Sequence, residues 1–240
     1  MRTRVAGGHP VRTRWASLVH AWLLLMCCIP ARAELKPDQL YARVCPSVLT
    51  LEVVNLSGRR FVGSGFLALG DGLAVTAWHL IHDARRVQAH FSDGTSAEVG
   101  GLIDKNEKLD LALLQIKCDR RPQLKLAARP PVIGTRIYVV GSPGGFEFTL
   151  SEGLIGQIRS VDEVRYYQLS CPISPGDSGG PVLNERGEAV GVVSWRKADA
   201  QSLGFAIPAE GVAALRKSGT PQPWPIVASS PGAAASAAAP

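Results

Sequence analysis

No acidic residue precedes Glu34, although the first 33 residues carry five arginines. Past that point the imbalance vanishes: 21 Lys and Arg face 20 Asp and Glu, so most of the formal +6 belongs to the leader. A chain so balanced offers no electrostatic case for nucleic acid. Cysteine is scarce too. Only Cys45, Cys118 and Cys171 lie beyond the leader, which excludes a disulfide-dense scaffold. One disulfide in any of three pairings, or three free thiols, fits the sequence. Of the five histidines, only His79, His82 and His90 lie beyond residue 33. His79 and His82 lack a third ligand at a convincing spacing, so no zinc or other metal site is expected. The longest purely apolar stretch in the leader, Ala21–Ile29, is too short for a comfortable membrane span. No internal repeat is evident.

What is present begins with export. A basic n-region, the Ala21–Ile29 core and the triplet Ala31-Arg32-Ala33 make residues 1–33 a signal peptide, with cleavage leaving Glu34 as the mature N-terminus. The alternative is an uncleaved anchor starting near Trp15. Cys27 and Cys28 follow no lipoprotein sequence, and the n-region has no twin arginine. The localisation expected is periplasmic or secreted.

From Glu34 the chain reads as short strands separated by turns: Ser47–Leu56, Arg60–Leu69, Leu73–Trp78, Val87–Phe91 and Leu111–Ile116, then a linker-like Arg120–Pro131. Arg136–Val140, Thr149–Ser160, Tyr166–Leu169, Pro181–Leu183, Ala189–Trp195 and Gly204–Ile207 follow. Asn55–Gly58 and Asn184–Gly187 read as hairpin loops. Pro208 opens a short terminal helix. Many short strands and few helices predict an all-β barrel class. Residues 218–240, rich in Pro, Ala and Ser, have little to bury and are expected to lack structure.

The chemistry concentrates in Pro175-Gly176-Asp177-Ser178-Gly179-Gly180-Pro181. A serine hydroxyl is a poor nucleophile unless a base reaches it and backbone N–H groups receive the oxyanion. The N–H groups of Gly176 and Ser178 are suited to converge on one point. A Gly-rich turn before a strand is the plainer reading. His79, closing the apolar run Leu73–Trp78, is the candidate base on a rigid platform. His82 reads as solvated and His90 as the outer face of a strand. Asp110 heads the run Leu111–Ile116, where burial would set a carboxylate beside the imidazole; Asp104 competes, but no strand of comparable strength carries it.

The order His79, Asp110, Ser178 and the words around them resemble the trypsin-like serine proteases. Thr76-Ala77-Trp78-His79, Asp110-Leu111-Ala112-Leu113-Leu114, Gly176–Pro181 and Gly191-Val192-Val193-Ser194-Trp195 carry the likeness. Finer features resemble the bacterial high-temperature-requirement (Htr/Deg) branch. These are Gly63-Ser64-Gly65-Phe66, Gly141-Ser142-Pro143-Gly144-Gly145, Ser151-Glu152-Gly153-Leu154-Ile155 and Gly204-Phe205-Ala206-Ile207-Pro208. Three departures stand out. No Ile-Val-Gly-Gly activation segment occurs, the residues after Lys217 are too few for a PDZ domain, and Cys171 sits where that branch often has a polar residue.

The resemblance implies two six-stranded antiparallel Greek-key barrels of the chymotrypsin-like type, about residues 45–118 and 132–207 within a domain of 34–217, closed by a helix at about 208–217. The active site would lie in the cleft between them. It implies a cofactor-independent serine endopeptidase acting on polypeptides, with Ser178 as nucleophile, His79 as base, Asp110 orienting it, and Gly176 and Ser178 as oxyanion donors. Ser194 would support Asp110, and Ser194-Trp195 would pair with an extended substrate. Pro172, six residues before Ser178, would form the base of the S1 pocket with Gly204 on its wall. Both are uncharged, which implies small or medium apolar P1 residues. A protease-fold binding or sensor module, silent or latent, is the competing reading; an esterase or acyltransferase is a third.

Overall fold

Strand-forming runs in this chain fall into two kinds, and the difference locates the core. The computed structural model describes residues 34–196 and 204–226, so the leader lies outside the described residues. Strands β1 (Val48–Asn55), β2 (Arg60–Leu67), β3 (Leu73–Ala77), β4 (Ala84–Phe91), β5 (Ser96–Asn106) and β6 (Leu111–Lys117) close one antiparallel barrel in the order β1-β2-β3-β6-β5-β4. Strands β7 (Arg136–Gly141), β8 (Thr149–Val161), β9 (Val164–Leu169), β10 (Pro181–Leu183), β11 (Ala189–Arg196) and β12 (Gly204–Pro208) close a second, in the matching order. The described fold is the two-barrel, chymotrypsin-like architecture that the sequence implied.

The continuous apolar runs are strands buried on both faces. In β3, Leu73 and Val75 enter a cluster shared by both barrels, while Ala74 and Ala77 face the interior of the first. Strand β6 divides likewise: Leu111 and Leu113 join the shared cluster, and Ala112, Leu114 and Ile116 the barrel interior. Tyr138, Val140, Leu183, Val192 and Ile207 supply the other side of the shared cluster. Each such leucine contributes about 1.5–3 kcal/mol through burial. His79 follows the end of β3 by two residues, and Asp110 immediately precedes β6.

Four expectations need correction. Strand β5 was not foreseen, because Gly100 and Gly101 and two bulges, at Val99/Gly101 and Leu102/Asp104, break its alternation. It carries Asp104. The Arg120–Pro131 stretch is stitched to both barrels: Leu124 N–H donates to Leu67 O at 2.8 Å, and Ala127 N–H to Ala189 O at 2.9 Å. The terminal helix is shorter than predicted, α3 spanning Ala209–Ala213; an unforeseen helix, α1 (Pro37–Val44), buries Leu40 and Val44 in the shared cluster. Finally, the stretch expected to lack structure begins with a docked segment. Gln222 exchanges two backbone hydrogen bonds with Leu102, at 2.9 and 2.8 Å, and Trp224 Nε1 donates to Val99 O at 2.9 Å. Gly101 permits this, since a Cβ there would collide with Gln222 O. Residues 227–240 lie outside the described residues.

Candidate active site

Strand β3 ends at Ala77 and the chain turns at once into a single helical turn, α2 (Trp78–Ile81). The first N–H groups of a helix have no partner within it. Here Asp110 takes two of them: its carbonyl accepts from Trp78 N–H at 3.1 Å and its Oδ1 from His79 N–H at 2.8 Å. The second carboxylate oxygen, Oδ2, pairs with His79 Nδ1 at 2.8 Å. Asp110 itself adopts a left-handed backbone, φ 53°, which aspartate tolerates better than most residues. The sequence placed His79 at a strand end; it lies one residue inside the following turn.

Barrel two completes the carboxylate's shell. Strand β11 is bulged between Val193 and Trp195, which leaves Ser194 as the extra residue. A bulge re-aims a side chain, and Ser194 Oγ donates to Asp110 Oδ2 at 2.6 Å. Burial opposes charge on Asp110, but the hydrogen bonds from the His79 ring, Ser194 and His79 N–H prevail and hold its carboxyl below the ordinary range. An ionised Oδ2 facing Nδ1 favours the tautomer with the proton on Nδ1, leaving Nε2 free as a base.

The turn that carries Ser178 is fixed from behind. Gly179 N–H donates to Val193 O at 2.7 Å, and Val193 N–H to Gly180 O at 2.9 Å. A Cβ at Gly179 would collide with Ser64 O and Thr76 Oγ1. Two further contacts orient the peptides that flank Asp177. Pro175 O accepts from Gly144 N–H at 2.8 Å, and Asp177 O from Gly180 N–H at 2.9 Å. In a trans peptide the C=O and N–H point opposite ways. The N–H groups of Gly176 and Ser178 therefore point away from these anchors, and among the described residues neither has an acceptor. The Ser178 hydroxyl donates to Ser194 O at 3.2 Å rather than to the His79 ring.

Other candidates sort cleanly. Asp104 lies away from His79 and binds Arg216, through Arg216 N–H at 2.7 Å and two guanidinium contacts at 3.0 and 3.3 Å. His82 Nδ1 meets His79 O at 3.0 Å, and His90 pairs with Ser96 Oγ at 2.9 Å. Pro172 is exposed. Gly204 faces Ile173, whose side chain would collide with any Cβ there; Ile173, not Pro172, is its neighbour. The backbone of Trp195 pairs with Phe205. Cys45, Cys118 and Cys171 are free thiols, and burial pushes the Cys171 thiol up to about 11. Asp177 is only 4% exposed. Its Oδ2 accepts Ser174 N–H at 2.8 Å, yet burial pushes its carboxyl up to about 6. Among the described residues no cation pairs with it.

A cleft of about 760 Å³ lined by Phe91, Lys117, Cys118, Arg120 and Arg121 includes none of His79, Asp110, Ser178 and Ser194. Its cations are matched by carboxylates: Lys117 by Glu98, Arg120 by Asp71 and Arg121 by Asp93. No described group of His, Cys, Asp and Glu has the arrangement of a metal site. No described helix is long and apolar enough to cross a membrane.

Two barrels holding a Ser, a hydrogen-bonded Asp–His pair and a Gly-lined turn at their junction define a hydrolase fold of the serine protease class. The chain belongs to the trypsin-like peptidase domain family, whose profile matches residues 63–192. It is 34% identical over 155 residues to a putative serine protease, HhoB, of Synechocystis, covering 61% of this chain and 37% of that protein. It is 36% identical over 155 residues to a probable periplasmic serine endoprotease, DegP-like, of Pseudomonas fluorescens, covering 61% and 32%. The chain thus spans about a third of the length of these relatives. Its fold matches a solved HtrA-type protease, a serine-to-alanine variant of AlgW with a tripeptide, at TM-score 0.69 and 22% identity, over 75% of this chain and 62% of that one.

Proposed function

We propose that the chain is an extracytoplasmic serine endopeptidase that cleaves polypeptides through an acyl-enzyme. The observation that carries this is the double grip of Asp110 on His79, at backbone and ring, reinforced across the barrels by Ser194. Ser178 Oγ attacks the scissile carbonyl carbon while His79 Nε2 takes its proton. Asp110 stabilises the imidazolium. The Gly176 and Ser178 N–H groups receive the oxyanion, each worth roughly 3 kcal/mol. Collapse expels the amine, which receives the proton from His79, and leaves the acyl group on Ser178. Water, activated by the same base, then releases the acid and restores the hydroxyl.

An extended substrate pairs with the backbone of Ser194-Trp195, a β-strand mode of recognition. Ile173 against Gly204 narrows the S1 pocket and favours small or medium apolar P1 side chains. Cleavage after Ala33 delivers the domain to the periplasm or the exterior of a bacterial cell. Mass spectrometry of the protein from its host checks this by finding Glu34 at the N-terminus.

A latent, ligand-dependent form is the second reading, favoured by one observation: the Ser178 hydroxyl rests on Ser194 O. A fluorophosphonate distinguishes the two. Covalent labelling at Ser178, lost together with casein cleavage in Ser178→Ala, supports the endopeptidase. A folded protein inert from mildly acidic to alkaline pH supports the latent module.

A further inference from the structure

The segment Gly63-Ser64-Gly65 has no part in the chemistry above, yet Ser64 is fully buried and touches the nucleophile turn on both sides of Asp177. Its N–H donates to Ser178 O at 2.8 Å. Its hydroxyl donates to Gly176 O at 2.6 Å and accepts from Ser142 N–H at 3.1 Å. Its carbonyl accepts from Thr76 Oγ1 at 2.7 Å. One residue of β2, in barrel one, thus holds the carbonyls of both residues whose N–H groups face the oxyanion. The same hydroxyl anchors Ser142, which opens the loop whose Gly144 N–H fixes the Pro175–Gly176 peptide. Thr50 steadies that loop from β1 through Ser142 Oγ at 2.7 Å.

The flanking glycines let β2 pack closely within barrel one. A Cβ at Gly63 would collide with Leu80, and one at Gly65 would lie 2.9 Å from Val75 O. On the opposing side, a Cβ at Gly141 would lie 3.2 Å from Ser64 Oγ, and one at Gly180 3.3 Å from Ser64 Cβ. The Gly-Ser-Gly word and the nucleophile turn are two halves of one close-packed joint. Only a small hydroxyl-bearing side chain fits there and still serves as both donor and acceptor.

We propose that Ser64 is a positioning residue for the oxyanion site, setting the direction of the Gly176 N–H from across the barrel interface. It touches no reacting atom. The proposal rests on the endopeptidase reading. Removing the hydroxyl frees Gly176 O and Ser142 N–H together, so the Gly176–Asp177 peptide loses its anchor and the loop whose Gly144 N–H holds Pro175 O loses its support, and the tilt of the Gly176 N–H is loosened from both sides. The oxyanion interaction strengthens in the transition state, so the loss falls on kcat rather than on KM.

The test compares wild type with Ser64→Ala, counting sites by fluorophosphonate titration so that misfolded protein does not enter the rate. Expected for Ser64→Ala is a roughly 10- to 100-fold fall in kcat per titrated site, below the full loss of a donor. KM should stay within about twofold, and a peptide aldehyde should bind more weakly by the same factor as kcat falls. The pH profile should keep its midpoint, because His79 and Asp110 are untouched. If Ser64→Ala does not fold, Thr50→Val loosens Ser142 from a more distant point and should give a smaller kcat loss with the same unchanged KM. A soluble variant with wild-type kcat per site, or with aldehyde affinity unmoved, overturns the proposal. A wild type that neither labels nor cleaves overturns the endopeptidase reading and takes this one with it.

Discussion

Replacing Asp177 by Asn should make the protein more stable at neutral pH, although it removes a buried charge beside Ser178. The carboxylate is 4% exposed, its one described hydrogen bond comes from Ser174 N–H, and burial raises its pKa from 3.8 to about 6. In the unfolded chain the group returns to its ordinary value. Between about pH 4 and pH 6 the folded state holds a proton that the unfolded state has released, so stability falls as pH rises through that window. A shift of this size corresponds to about 3 kcal/mol lost by pH 7. Asparagine does not titrate and keeps an oxygen for Ser174 N–H. Its NH2 would lie against Gly141, where Asp177 Oδ1 now packs, which reduces the gain to about 1–3 kcal/mol. Urea unfolding at intervals from pH 4 to pH 8, in a Ser178→Ala background to prevent autolysis, measures it. The two proteins should coincide near pH 4 and diverge above pH 5, with the Asn variant the more stable. Parallel curves, or a wild type that gains on the variant as pH rises, would refute the reasoning.

Four further outcomes are expected. Asp110→Ala should lose on the order of 10⁴-fold in kcat, as when the orienting acid of a triad is altered. Asp104→Ala should keep full activity but lose about 1–2 kcal/mol, since Arg216 N–H is left without its acceptor; the opposite pattern in steady-state assays would reassign the acid. Ile173→Ala should widen the P1 preference toward Leu, Met and Phe in a peptide library, whereas an unchanged profile would remove Ile173 from the pocket. Trp224→Ala should lower stability by about 2–4 kcal/mol, through the packing it removes from barrel one and the hydrogen bond to Val99 O. A melting temperature equal to wild type would show that the docked segment adds nothing.

Much of the fold was readable because strands buried on two faces leave uninterrupted apolar runs. Leu73–Ala77 and Leu111–Ile116 are such runs, and His79 and Asp110 stand at their ends. Strand β5 escaped notice for the converse reason. Its glycines and bulges serve the close approach of Gln222 and the turning of the barrel, and both disrupt period-two alternation. The common topology of the barrels was implied only by the family resemblance, since equivalent strands need only comparable burial, not comparable residues.

Chemical identity is local, and the sequence alone determined it. It supplied one serine in a Gly-rich turn, few histidines to choose among and a carboxylate heading a buried strand. Position is not local. Which acid faces His79 depends on Asp110 adopting a left-handed backbone while Asp104 turns to Arg216. The neighbour of Gly204 depends on the direction of side chains in a loop without regular period, and it is Ile173 that meets Gly204 there. The direction of the Gly176 N–H depends on hydrogen bonds to Gly144 and Ser64, 32 and 112 residues away in sequence. Glycine marks where such a turn can form, but not which way its peptides point. Only the packing of one barrel against the other decides it.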